Sequence, residues 1–391
     1  MNQKNKSFFT YEDIYFDENN IGWMFSYDFN GLFFIKNDCI SYVTSIKEYD
    51  FDSIRLYGAI SGIRNKIVLA PTRADGIVIF DTASHEYDFV RLRDIDCDYD
   101  KNAKFFSIAK NGEYLYLIGH CYPAIIRINP LNKIIDYFYM EEFEGFKEWN
   151  GGEIFRKDYL IKQQKLYIPC AYTNQVLAFD FETNKGKFMD IGSEGMKYSG
   201  ICSDGRNAWL SPIYGNRMLQ WEIETGKYTE IELDGYDHRD GKMSYVGCIF
   251  FKDKIYAIPA YRNKLTILDL KRKRQNVFDV SENRYTTIAP IRCYHVRGDR
   301  LIFVSAYEGE HYGVITDVDG NYELKSIIIE GSLEVVKELF KTNVLNIPDF
   351  IEEKCFFDLK DFFITIQKNI KENGIFNDKG TIGKLIWNEI I

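Results

Sequence analysis

Apolar residues along most of this chain fall in short runs, paired two by two across a polar turn. The stretch Lys254-Ile-Tyr-Ala-Ile-Pro-Ala-Tyr-Arg-Asn-Lys-Leu-Thr-Ile-Leu-Asp269 shows the unit most clearly. It reads as a strand, a tight turn centred on Arg262 and Asn263, and a second strand ending in an acid. Such runs are too short for amphipathic helices and rich in Ile, Val, Leu and Tyr. They therefore predict β-hairpins.

The unit recurs. Taking the residue that ends each second run as an anchor gives Lys36, Asp81, Asn129, Asp180, Glu222, Asp269 and Asp317, spaced 45, 48, 51, 42, 47 and 48 residues apart. Two further strands accompany each pair. Before it lies a run of small residues such as Tyr57-Gly-Ala-Ile-Ser61, Tyr198-Ser-Gly-Ile-Cys202 or Tyr245-Val-Gly-Cys-Ile249. After it lies a polar turn and strand, as in Thr82–Val90 and Thr225–Ile231. A period of roughly 40–50 residues with four strands per copy is that of propeller blades. Over residues 8–330 the pattern resembles the seven-bladed β-propeller superfamily, without the Trp-Asp dipeptide of WD40 repeats or the paired glycines of kelch repeats. The expected fold is all-β: seven four-stranded blades, followed by an α-helical extension over 331–391. The extension is read from Ser332-Leu-Glu-Val-Val-Lys-Glu-Leu-Phe340, Pro348–Gln367 and Lys379–Ile391, where apolar residues take helical spacing. The ending Thr381–Ile391 is similar to tails of some bacterial polysaccharide-cluster proteins.

Composition narrows the function. Twenty-eight Tyr and 30 Phe suit strands, and a net charge of −9 argues against a general nucleic-acid binder. The N-terminus has lysines with no apolar run behind them, and no stretch reaches the ~18 apolar residues of a membrane helix, so a cytoplasmic protein is expected. Eight cysteines without a Cys-x-x-Cys pair or a Cys/His ligand cluster read as buried thiols. The sequence calls for no cofactor and no metal. The alternating carboxylates of Asp94–Asp100 lack the glycine and distal glutamate of a calcium loop and read as a solvated loop.

The propeller resemblance implies that the turns joining second and third strands share a face with the loops entering the first strands, around the channel mouth where ligands bind. On the turns stand Tyr172 with Asn174, Tyr214 with Asn216, Tyr261 with Asn263, and Tyr307, besides Arg73 and Tyr122. On the entering loops stand Arg55 with Tyr57, Lys104 with Phe105, Lys147 with Trp149, Lys197 with Tyr198, Lys242 with Tyr245, and Arg292. Rings stack on sugars, amides bond hydroxyls, and cations attract carboxylate or phosphate. Each feature also has a structural explanation: Asn belongs in tight turns, and Tyr is a good strand residue. The leading expectation is a cytoplasmic binding protein for a polar, anionic small molecule, glycan or peptide. The alternative is a propeller lyase or hydrolase using Glu153, His295 and His120 as acid–base groups. A third is a scaffold docking partner proteins through its C-terminal helices.

Overall fold

The computed structural model describes residues 11–328 apart from 38, 52, 235–241, 261–263, 280–290, 306–310 and 319–320, together with Val335 and Leu339. Residues Met1–Val335 form one compact unit and Val336–Ile391 a second. The helices expected over 331–391 lie outside the described residues, apart from Val335 and Leu339, both helical.

Among the described residues, twenty-eight strands form seven four-stranded antiparallel sheets, each made of four consecutive strands. Blade 2 is typical: Tyr57–Ile63 innermost, then Lys66–Pro71, Gly76–Asp81 and Tyr87–Arg91. The other inner strands are Tyr11–Phe16, Phe105–Asn111, Leu160–Lys162, Tyr198–Ser203, Tyr245–Phe251 and Ile291–Arg297, in blades 1, 3, 4, 5, 6 and 7. The inner strands of blades 1 and 7 pack together, and among the described residues no sheet is shared between the ends.

Apolar residues on both faces of each blade build the core. One layer joins blades 2 and 3 through Val68, Ile77, Leu115, Tyr122 and Ile126, and another joins blades 4 and 5 through Tyr167, Tyr198, Leu210 and Trp221. Burying one such side chain contributes roughly 1.5–3 kcal/mol, and a blade on its own would leave both faces wet.

The anchors end the third strand of every blade to within one residue, and all but Lys36 are acids or an amide for a chemical reason. Asp81 Oδ1 accepts the N–H of Ala83 (2.8 Å), Asn129 Oδ1 that of Leu131 (3.0 Å), and Asp180 Oδ1 those of Glu182 and Thr183 (both 3.0 Å). Each carboxylate or amide thus organises the turn into the outer strand. Four residues past the anchor the backbone enters the left-handed region, at His85 (φ 60°), Lys133 (60°), Asn184 (55°), Gly226 (73°) and Lys273 (50°).

A second regularity concerns the channel. In blades 1, 2, 3, 5, 6 and 7 the inner strand carries one extra residue near its start; Tyr57 pairs Pro71 while Ala59 already pairs Ala70. Blade 4 departs from this. Phe155 bridges Cys170 and Leu160 pairs Tyr167, so Arg156–Tyr159 stand opposite only Ile168 and Pro169. Two surplus residues cannot lie flat in the pleat, and neighbouring blades cover both faces of the sheet. The bulge is therefore forced towards the axis.

Candidate functional site

The blade 4 bulge delivers two charged side chains, Lys157 and Asp158, to the middle of the ring. Asp158 reaches blades 5, 6 and 7. Its Oδ2 accepts the backbone N–H of Cys248 (2.9 Å) and its Oδ1 the hydroxyl of Tyr294 (2.5 Å). A Cβ on Gly200 or Gly247 would run into the same carboxylate, so those two glycines are what let it lie against the strands. Lys157 turns the other way, donating to the carbonyl of Glu12 (2.6 Å) and lying 3.7 Å from Asp13 Oδ1. That same Asp13 oxygen is 3.1 Å from His295 Nε2, and Asp13 Oδ2 accepts the N–H of Ile60 (3.3 Å). Ser107 Oγ, in blade 3, donates to the Lys157 carbonyl (2.7 Å).

These groups line a cavity of about 740 Å³ on the axis, whose walls also include Tyr15, Phe106, Ile108, Ile201 and Phe250. The lining extends to Asp17 and Asn20, in the turn between the first two strands of blade 1. That turn is at the end of the ring opposite the second-to-third turns. Asp13, Lys157 and His295 keep 12%, 21% and 34% of their side chains exposed.

Position decides the protonation of each group. Burial lifts the Asp158 carboxyl to about 7, against the opposing pull of Tyr294, the Cys248 amide and Lys157. Burial also pushes Tyr294 well above the ordinary phenol value, with Asp158 adding to it. At Asp13 burial acts in the same direction, but Lys157 and the bond to His295 outweigh it and leave the carboxyl below its usual value. The channel therefore holds two unlike carboxyls, one ionised and one poised near neutrality.

A second constellation lies where blade 3 meets blade 4. His120 Nδ1 donates to the Phe155 carbonyl (2.5 Å), and its Nε2 is 3.5 Å from Glu153 Oε1. Glu153 also pairs with Arg156. Burial alone would raise Glu153; His120 and Arg156 bring it down to about 2. The three acid–base candidates thus separate, His120 joining Glu153 and His295 joining Asp13.

The remaining expected residues are distributed as follows. Tyr57, Tyr198 and Tyr245 each open an inner strand and are buried between blades; the Tyr198 hydroxyl donates to the Ile191 carbonyl (2.5 Å). Lys104 is 4% exposed, and its ammonium donates to the carbonyls of Arg73 (3.1 Å) and Lys101 (2.6 Å). Arg55 is exposed and lies over the Tyr27 ring. Lys147 pairs with Asp190 (2.6 Å), Trp149 donates to the Gly152 carbonyl (3.0 Å), and Tyr172 donates to the Lys147 carbonyl (3.2 Å). Asn174 is buried, donating to the Gly192 carbonyl (3.3 Å), and Asn216 donates to Glu232 (3.0 Å). Lys197 is half-buried, Lys242 is exposed, and Tyr214 is 56% exposed. Arg292 belongs to the blade 7 inner strand, while Tyr261, Asn263 and Tyr307 lie outside the described residues. The sequence reading did not single out Asp13, Lys157, Asp158 or Tyr294. The nearest signal was the repeated Tyr-x-Gly of blades 5 and 6, whose glycines turn out to face Asp158.

No family model matches the chain, and no curated protein does. Solved structures do. Selenomethionine-substituted virginiamycin B lyase from Staphylococcus aureus matches with a TM-score of 0.59 at 14% identity, over 78% of this chain and 94% of that one. A catalytically inactive form of that lyase with quinupristin gives 0.61 at 13%, over 81% and 98%. The extracellular domain of a putative one-component system from B. thetaiotaomicron gives 0.54 at 11%, over 82% and 46%. The fold is a seven-bladed β-propeller. At these identities the likeness extends to the propeller fold and no further. Among the described residues, no helix is long and apolar enough to cross a membrane.

Proposed function

We propose that the protein is an acid–base enzyme, a lyase or hydrolase, acting on a small polar substrate inside its central channel. The Asp158–Tyr294 pair carries this reading. A carboxyl titrating near 7 inside a cavity is suited to take a proton from a substrate or return one at neutral pH. Tyr294 keeps its proton and steadies the carboxyl by donating to it. Asp13 and Lys157 supply charge of both signs, and His295 an imidazole beside Asp13, to hold a polar substrate against that pair. The similar fold of two lyase structures supports the reading by analogy alone. A reducing, cytoplasmic setting is part of the proposal and is supported by the seven cysteines among the described residues, all outside any disulfide.

The test uses quinupristin and acidic oligosaccharides as probe substrates, with products followed by mass spectrometry. Turnover by the wild type should fall by at least about 100-fold in Asp158→Asn and Tyr294→Phe, with folding intact. Turnover unchanged in both variants would overturn the proposal. A second reading, a protein that holds a glycan or peptide at the second-to-third turns, is favoured by the exposed Tyr214 beside Asn216. It requires that Tyr214→Ala lose the bound ligand while Asp158→Asn keeps it.

A further inference from the structure

We infer that Asp13, Cys293 and His295 form a binding site for a divalent transition-metal ion of the zinc class, on the blade 1 and blade 7 side of the channel. One carboxylate oxygen, one thiol sulfur and one imidazole nitrogen lie within 4.8 Å of one another there. Ligands bonded to a tetrahedral zinc at about 2.0–2.3 Å stand roughly 3.3–3.8 Å apart, so closing the trio on an ion needs shifts of about 1 Å or less. The set mixes sulfur, nitrogen and oxygen, which suits zinc and excludes the all-oxygen preference of calcium and magnesium.

Local structure supports the trio. Cys293 and His295 are two residues apart on one strand, so both project to the same side, and Asp13 comes from the packed inner strand of blade 1. Nε2 of His295 already faces Asp13 at 3.1 Å, an arrangement an ion can enter in place of the shared proton. The Ile60 N–H on Asp13 Oδ2 supplies an outer hydrogen bond that fixes the carboxylate. Cys293 is fully buried and outside any disulfide, whereas His295 lines the cavity and gives an ion its way in. Binding takes the thiol proton from Cys293 and releases it to solvent. Three protein ligands leave a fourth position open to substrate or water.

Lys157 is the resident cation. Its ammonium sits 3.7 Å from Asp13 and is also held by the Glu12 carbonyl at 2.6 Å. The ion and the ammonium compete for one carboxylate, and that competition sets the affinity. The inference builds on the channel as the working site, yet its test is independent of turnover.

The probe is Co²⁺ added to the reduced full-length protein. One equivalent should produce a thiolate-to-cobalt charge-transfer band in the near ultraviolet, removed by excess Zn²⁺ and absent in Cys293→Ser. Affinity should weaken by at least about tenfold in Asp13→Asn and His295→Ala, since even outer partners of metal ligands cost that much. It should tighten by at least about tenfold in Lys157→Met, the least that a unit charge some 5 Å from a dication produces in water-like screening. Asp158→Asn should leave the band unchanged, so failure of the catalytic reading and failure of this one are told apart. No band in the wild type, or a band that survives in Cys293→Ser, would overturn the inference, and the wild-type titration decides it even if a variant does not fold.

Discussion

Asp158 is the residue on which the channel turns, and its environment makes a prediction about stability. Its folded value lies above the ordinary 3.8, at about 7, because burial disfavours the charge. The folded state therefore binds more protons than the unfolded one between those values. This contribution is fully present below the unfolded value and is lost as pH rises through about 7. Asn mimics the neutral carboxyl, so Asp158→Asn should gain stability over the wild type as pH rises across that window. Thermal melts at several pH values check it, and a difference that does not change with pH would refute the assignment. The same scale shows where sequence reading stops. Tyr57, Tyr198 and Tyr245 look like ligand-binding aromatics beside cations, but the first position of an inner strand points between blades. Lys104 has the sequence context of an entrance cation; a buried cluster of backbone carbonyls claims it. Nothing local distinguishes such a lysine from a free one, because its partners are brought in by the neighbouring blade and turn.

At the scale of the element, the strand pairs, the outer strands and their anchors were all legible, because a repeated unit writes its pattern several times over. The left-handed turn position was not, since His85, Lys133, Asn184 and Lys273 share no residue type that marks it. Gly226 is the blade that uses the residue best suited to it. Lys133→Gly should raise stability by up to about 1 kcal/mol by removing the Cβ clash, and Gly226→Ala should lower it by about 1 kcal/mol. Denaturant titrations measure both, and effects of the opposite sign would contradict the turn geometry. The blade 4 bulge was equally hidden. Its register is fixed by a three-residue inner strand and one isolated bridge, and so by the sheet around it rather than by any preference of Arg156–Tyr159.

For the whole molecule, the propeller forms a compact unit through Val335, which predicts that it folds without the rest. A chain ending there should keep its far-ultraviolet signature and melt within about 5 °C of the full protein, a shift of roughly 3–4 kcal/mol at this size. Loss of a co-purifying partner in that shorter chain, with the melt preserved, would speak for a scaffold role of residues 336–391. Seven similar blades suggest a modular ring in which any unit stands in for any other. The bulge of blade 4 breaks that equivalence. Lys157, Asp158 and Tyr159 bond to blades 1, 3, 6 and 7, and Asp158 lies against blade 5. Blade 4 is the spoke that carries the hub. A copy of any other blade put in its place would restore the sheet and the apolar layers, and leave a wheel with no centre.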